Sequence, residues 1–306
     1  MNRGHITQSD KMLKDKLSHF YGDWNKVADN GIAGVMAHFV AAGQPRMVVH
    51  SGWCDRILED PGFVKVLKRA YEQSGAIPQG SHAPFWNVPE VSVDSFTDDP
   101  NSRFVKKHLY FLEMLPAEFG VRTYTIHIGC LPGGLTVEQY RKVVIRGLEL
   151  LVPIAEKNHM TIAVENGFGT ISDADALQSY VGYFNGSPAI GVCLDVGHAN
   201  INYRAPGKTR GDIRLRPVNL GGAPFVFSEK HWEEVLSPHI VVAHLHDNDG
   251  LGDEHKMPMT GTVDWPLILG ILAKAPRLQS IEDEASPRGM SPEEVCGVYD
   301  RLLCGH

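Results

Sequence analysis

Histidines and carboxylates recur in this sequence at the far ends of short apolar runs. His82, His127 and Glu165 each end one, as do Asp195 with His198, His244 with His246, and Glu282 with Glu284. Asp253 and His255 follow in the next loop. The chemistry that unites such residues is metal binding. A carboxylate or imidazole at the end of an apolar strand costs several kcal/mol to bury unpaired, and one shared cation compensates several at once. Imidazole and carboxylate donors without thiolate suit Zn, Mn, Fe or Co, and disfavour Mg or Ca. Each residue also has a plainer role. A lone His82 or His127 is more often a hydrogen-bonded core histidine, Glu165 a salt-bridge partner, and Asp195 with His198 a helix cap. Together these roles ask successive strands to bury an ionisable group at the same end without return. Glu282 and Glu284 share strand parity, so both can point inward. Glu282 is preferred, because Glu284 is closer to the loop. His244 and His246 pose the same choice.

The elements that carry these residues form a repeating pattern. Apolar, β-rich runs cover residues 46–52, 75–85, 122–129, 160–166, 190–198, 239–247 and 278–284. They are near-continuous rather than alternating, which suits a parallel sheet buried on both faces. Helical stretches fill the gaps. One starts at Thr136 with Gln139 three residues on and runs to about Lys157; another starts at Ser291 with Pro292 and Glu294. Shorter helices are expected near Ser172 and Ser228, and 10–42 reads as mostly helical. Seven strands are clear, and a short segment near residues 4–8 supplies an eighth. Eight close a (β/α)8 TIM barrel, with the polar residues on its active-site face. The alternative, a doubly wound dinucleotide fold, lacks a GxGxxG after the first strand. The expected organisation is a single α/β domain over residues 1–306.

Composition narrows the function. The chain is 43% hydrophobic with a formal charge of −7, which weighs against a broad basic surface for nucleic acid. No apolar run approaches the about 18 residues of a membrane span, and the first 30 residues hold no apolar secretory core. The five cysteines are odd in number and include no CxxC pair, so a reducing, cytoplasmic location is expected. One segment is unusual. Residues 201–224, between the sixth and seventh strands, read as a long loop inserted there, carrying Arg204, Lys208, Arg210, Arg214 and Arg216. It is either a solvated insertion or a basic lid over an anionic substrate. Trp86, His246 and Arg204 are the candidate substrate contacts.

The segments SHAPF, TIHIG, AVENG, LDVGHAN, HLHDNDGLGDEH, GTVDW and SIEDE, in this order, resemble the xylose isomerase-like TIM-barrel superfamily. More narrowly they resemble the group joining endonuclease IV (AP endonuclease family 2) to sugar-phosphate isomerases and epimerases. For the isomerase branch the resemblance implies one divalent metal held by Glu165, Asp195, His244 and Glu282. It also implies Glu165 and Glu282 as acid and base, and His198 as a contact to a substrate oxygen. For the endonuclease branch it implies up to three zincs, with His82, His127, His198, Asp253 and His255 as further ligands. The sequence holds all nine. It departs from ketohexose epimerases, which carry an Arg where Asp253 and His255 stand. It departs from the endonuclease in its acidic charge.

Two activities are therefore expected. The first is a Zn- or Mn-dependent isomerase, epimerase or related lyase on a small sugar, working through a metal-stabilised enediolate. The alternative is a multinuclear zinc phosphodiester hydrolase acting on a small phosphodiester. A purely ligand-binding barrel would have no need of the full ligand set. Barrels of this kind are often homo-oligomers, though no interface is legible in the sequence.

Overall fold

The structure, a computed structural model, describes residues 12–21, 27–84, 95–216, 220–228 and 233–304. Eight strands form one sheet: β1 (Leu17–His19), β2 (Arg46–Val49), β3 (Ile77–Ser81), β4 (Thr123–Ile126), β5 (Thr161–Glu165), β6 (Ile190–Asp195), β7 (Ile240–Leu245) and β8 (Ser280–Asp283). Their order is β3-β2-β1-β8-β7-β6-β5-β4, and the paired neighbours are parallel. A parallel bridge between His82 and Thr125 joins the two outer strands and brings the ring to closure. This is the expected TIM barrel. Every residue of β5, β6 and β7 is buried, as a sheet covered on both faces requires.

Helices pack outside the ring: α1 (Ile32–Ala41), α2 (Ser51–Glu59), α3 (Phe63–Ser74), α4 (Arg103–Phe119), α5 (Val137–Lys157), α6 (Ala174–Tyr183), α7 (Val196–Asn202), α8 (Glu233–Leu236), α9 (Trp265–Lys274) and α10 (Pro292–Cys304). The caps read from sequence are formed. Thr136 accepts from the Gln139 N–H at 3.2 Å while Gln139 accepts from the Thr136 N–H at 2.8 Å. Ser291 and Glu294 make the same reciprocal pair at α10. Asp173 and Asp264 cap α6 and α9. Cys54, Cys193 and Cys296 carry free thiols.

Two expectations differ from the structure. The first strand is Leu17–His19, within the stretch read as helical; the segment near 4–8 lies outside the described residues. Three residues are too few to show a strand period in the sequence. The helix expected near Ser228 is seen as Glu233–Leu236, and residues 229–232 lie outside the described residues.

The segment between β6 and β7 has a small core of its own. Phe168, Ile201 and Ile213 are buried together, with Leu215, Phe225 and Phe227 packed against them. Its cations are used locally. The Lys208 ammonium donates to the carbonyls of Asn200, Ile201 and Tyr203 at 3.2, 2.6 and 2.7 Å. Arg214 pairs with Asp249 at 2.6 Å, and Arg210 lies over the Phe225 ring.

Candidate metal centre

The C-terminal ends of the strands place the polar residues at one mouth of the barrel. Glu165 is the last residue of β5. Asp195 is the last of β6 and also the N-cap of α7, its Oδ1 accepting the His198 N–H at 2.7 Å. The cap turns the chain so that His198 faces back over the mouth. Asn166 fastens the ends of β5 and β6: its amide donates to the Asp195 carbonyl at 2.9 Å and accepts from the Asp195 N–H at 2.7 Å. His244 lies in β7. The loop after it is anchored by Asp247, which accepts from the Trp265 indole at 3.0 Å and pairs main chain with Lys256. That loop carries Asp253 and His255. His82 and His127 follow β3 and β4.

Three donor groups result, each with one ligand atom per residue and all atoms within 4.8 Å of one another. Glu165, Asp195, His244 and Glu284 form the first; His82, Glu165 and His244 the second; His198, His246, Asp253 and His255 the third. Glu165 sits at the centre. Its Oε2 is 3.0 Å from His127 Nε2, 3.4 Å from His82 Nε2 and 3.6 Å from His244 Nδ1. Asp253 faces His255 at 3.3 Å and His198 at 3.6 Å.

The protonation pattern follows from this crowding. Burial pushes the Glu165 carboxyl up, but His127 and His244 outweigh it and hold it well below the usual carboxylate range. Asp253 is likewise low, because His255 and His198 overcome its burial. Burial alone would lower His244; the neighbouring Cys193, Glu284 and Glu165 raise it well above an ordinary histidine. Asp253 pushes His255 up to about 10 against the same opposing burial.

The donor chemistry fits a divalent cation. Among the described residues, His244 Nδ1, Glu284 Oε2, Asp253 Oδ1 and His246 Nδ1 are buried and make no well-directed hydrogen bond. Three histidines have their tautomer fixed from outside. The Nδ1–H groups of His82, His198 and His255 donate to the carbonyls of Ala83, Asn166 and Glu284 at 2.8, 2.8 and 2.9 Å. Each therefore turns Nε2 toward the mouth, the orientation that metal-binding imidazoles use.

The structure does not bring every expected residue into these groups. Glu282 is one layer below, and Glu284 takes its place. The reason is barrel shear. Glu282 pairs in register with His244, and His244 with Asp195. A barrel of shear eight slips by about one residue per strand. Two strands from β6, the residue level with Asp195 is therefore about two beyond Glu282. His246, an expected substrate contact, donates from Nε2 to both Asp195 oxygens at 3.0 Å, stacks on His255 at 4.0 Å and joins the third group. His127 contacts Glu165 but belongs to none of the three groups. Arg204 is exposed over the Phe227 ring, outside all three groups. Trp86 lies outside the described residues.

The sequence profile of the xylose isomerase-like TIM barrel family matches residues 24–294. The chain belongs to that family. Solved structures with this barrel include the 3-keto-D-glucoside 4-epimerase of E. coli in apo form, 13% identical with a TM-score of 0.64 over 94% of this chain and 98% of that one. They include AP endonuclease, family 2, from Brucella melitensis, 12% identical with a TM-score of 0.64 over 90% and 95%. A Thermus thermophilus protein soaked with ZnCl2 is 20% identical, with a TM-score of 0.61 over 94% and 97%. At such identities the likeness extends to the xylose isomerase-like barrel itself. No curated protein sequence matches the chain.

Proposed function

We propose that the chain is a divalent-metal-dependent isomerase or epimerase of a small sugar-like substrate. The carrying observation is the group of Glu165, Asp195, His244 and Glu284, whose two glutamates come from β5 and the end of β8. Three strands apart in a ring of eight, they approach the mouth from different sides. Zn, Mn or Co would be held by these four residues. Such a cation supplies Lewis acidity to neighbouring keto and hydroxyl oxygens, lowering the pKa of the C–H between them. Glu165 and Glu284 are then placed to take that proton from one face and return it on the other. Glu165 is kept ionised by its histidines, as a base must be. His198, held by Asn166, directs Nε2 toward the mouth as a contact for a substrate oxygen. The E. coli neighbour named as a keto-glucoside epimerase supports this substrate class.

The third donor group favours a second reading. Four donors around Asp253 exceed what a one-ion isomerase needs, and they suit a multinuclear hydrolase of small phosphodiesters. Metal content and one substitution separate the two. Protein purified without chelator or nickel should hold one tightly bound ion per chain. Deuterium exchange into a panel of ketohexoses and their phosphates should be abolished by Glu165→Gln and only reduced by Asp253→Ala. Three ions per chain, with phosphodiester hydrolysis lost in Asp253→Ala, would establish the hydrolase instead. No ion bound, even after titration, would overturn both.

A further inference from the structure

One layer below the donors, the barrel interior holds a carboxylate whose oxygens have no hydrogen-bond partner. Glu282 is completely buried, and both oxygens are unsatisfied among the described residues. The backbone makes room for it. Gly80 adopts φ +72°, and a Cβ there would overlap Glu282 Oε1. A buried, unpaired carboxylate costs several kcal/mol, so its place needs a physical reason.

The orientation of His244 supplies one. His82, His198 and His255 donate Nδ1–H to carbonyls and turn Nε2 inward. His244 is reversed. Its Nδ1 faces Glu284 at 3.0 Å, Glu165 at 3.6 Å and Asp195 at 3.9 Å. Among the described residues its Nε2 has no hydrogen-bonded partner, and Glu282 Oε2 lies 3.5 Å from it. A shift of about 0.5 Å brings that pair within hydrogen-bond range. Cys193 also lies beside His244, but a cysteine sulfur is a weak hydrogen-bond partner.

We infer that Glu282 is a positioning residue: it accepts the Nε2–H of His244 and so holds the Nδ1 lone pair toward a cation shared with Glu165, Asp195 and Glu284. The inference rests on the metal-centre reading above. It makes the two glutamates of the SIEDE segment unequal, Glu284 a ligand and Glu282 its support from below. A carboxylate behind a metal-bound imidazole fixes its tautomer and strengthens it as a donor.

Zinc content and affinity by chelator competition test it. Glu284→Gln should lose the tightest ion. Glu282→Ala should keep it with affinity about 10- to 100-fold weaker. Glu282→Gln, which retains an acceptor oxygen, should recover most of that loss, and Cys193→Ala should leave affinity within about threefold of wild type. Unchanged affinity in Glu282→Ala, complete loss in Glu282→Gln, or the same weakening in Cys193→Ala would each overturn the assignment. If the Glu282 variants fail to fold, the wild type decides. Long-range proton–nitrogen spectra of the zinc-loaded chain should show His244 protonated at Nε2 and metallated at Nδ1; the reverse tautomer overturns the inference. A wild-type chain that binds no zinc, manganese or cobalt defeats the metal-centre reading itself, and this inference with it.

Discussion

Asp195 shows how closely structure and proposed chemistry share single residues. One carboxylate caps α7, receives the His246 ring and joins the first donor group. The first turn of α7 passes directly over His246, and a Cβ at Gly197 would overlap that ring. Neither can move freely, because His246 is buried and stacked on His255. Gly197→Ala should therefore destabilise the fold by about 1–3 kcal/mol, as overpacking does, and disturb the third donor group. Urea unfolding and metal content of the variant check both effects; unchanged values would show that the ring has room. Residue type and strand-end position made most of these donors legible in the sequence. The choice between Glu282 and Glu284 was not, because parity alone does not reveal barrel shear, and neither was Asn166, whose role depends on hydrogen bonds between two strand ends. The grouping of His246 with His255 depends on a loop path that spacing does not encode.

The elements were legible in proportion to their length. The buried runs of β5, β6 and β7 have few other structural solutions, and the reciprocal caps at Thr136 and Ser291 mark helix starts by local chemistry alone. β1 was hidden because Leu17–His19 is so short and its pairing with β8 is remote in sequence. The segment after α7 was read as a solvated loop or a basic lid. Its composition conceals an apolar cluster and a structural lysine. Lys208 closes the end of α7 by donating to three carbonyls, and burial lowers its pKa to about 8. Lys208→Ala should cost about 1–2 kcal/mol locally, within the range of hydrogen bonds to a charged group. Limited proteolysis should then cut within residues 204–216 faster than in the wild type while the barrel stays intact. Equal cutting rates would mean that the apolar cluster alone holds the segment.

At the scale of the whole molecule the barrel separates two ends. The donor groups occupy the C-terminal mouth. A cavity of about 660 Å³ opens at the other end, lined by Lys16, Gln79, Arg46 and Arg122, and contains none of those donors. No helix among the described residues is long and apolar enough to cross a membrane. Global stability should carry a distinct pH signature, set by histidines outside the donor groups. Burial lowers His50 to about 3 and holds His108 well below the ordinary value. Both stay neutral in the fold, whereas the unfolded chain protonates them below a pH of about 6.5. The unfolded state then binds more protons, so stability falls as pH falls, by about 1.4 kcal/mol per unit for each group. His198, His244 and His255, raised in the ion-free chain, are protonated in both states below that pH and add no slope there. In chelator, the urea midpoint should therefore drop steadily between pH 6.5 and 5. His108→Gln should roughly halve the slope. A midpoint indifferent to pH over that interval would show that His50 and His108 are charged in the native barrel, and the hydrogen bond between His108 and the Tyr124 hydroxyl would then have to be read with the imidazole as its donor.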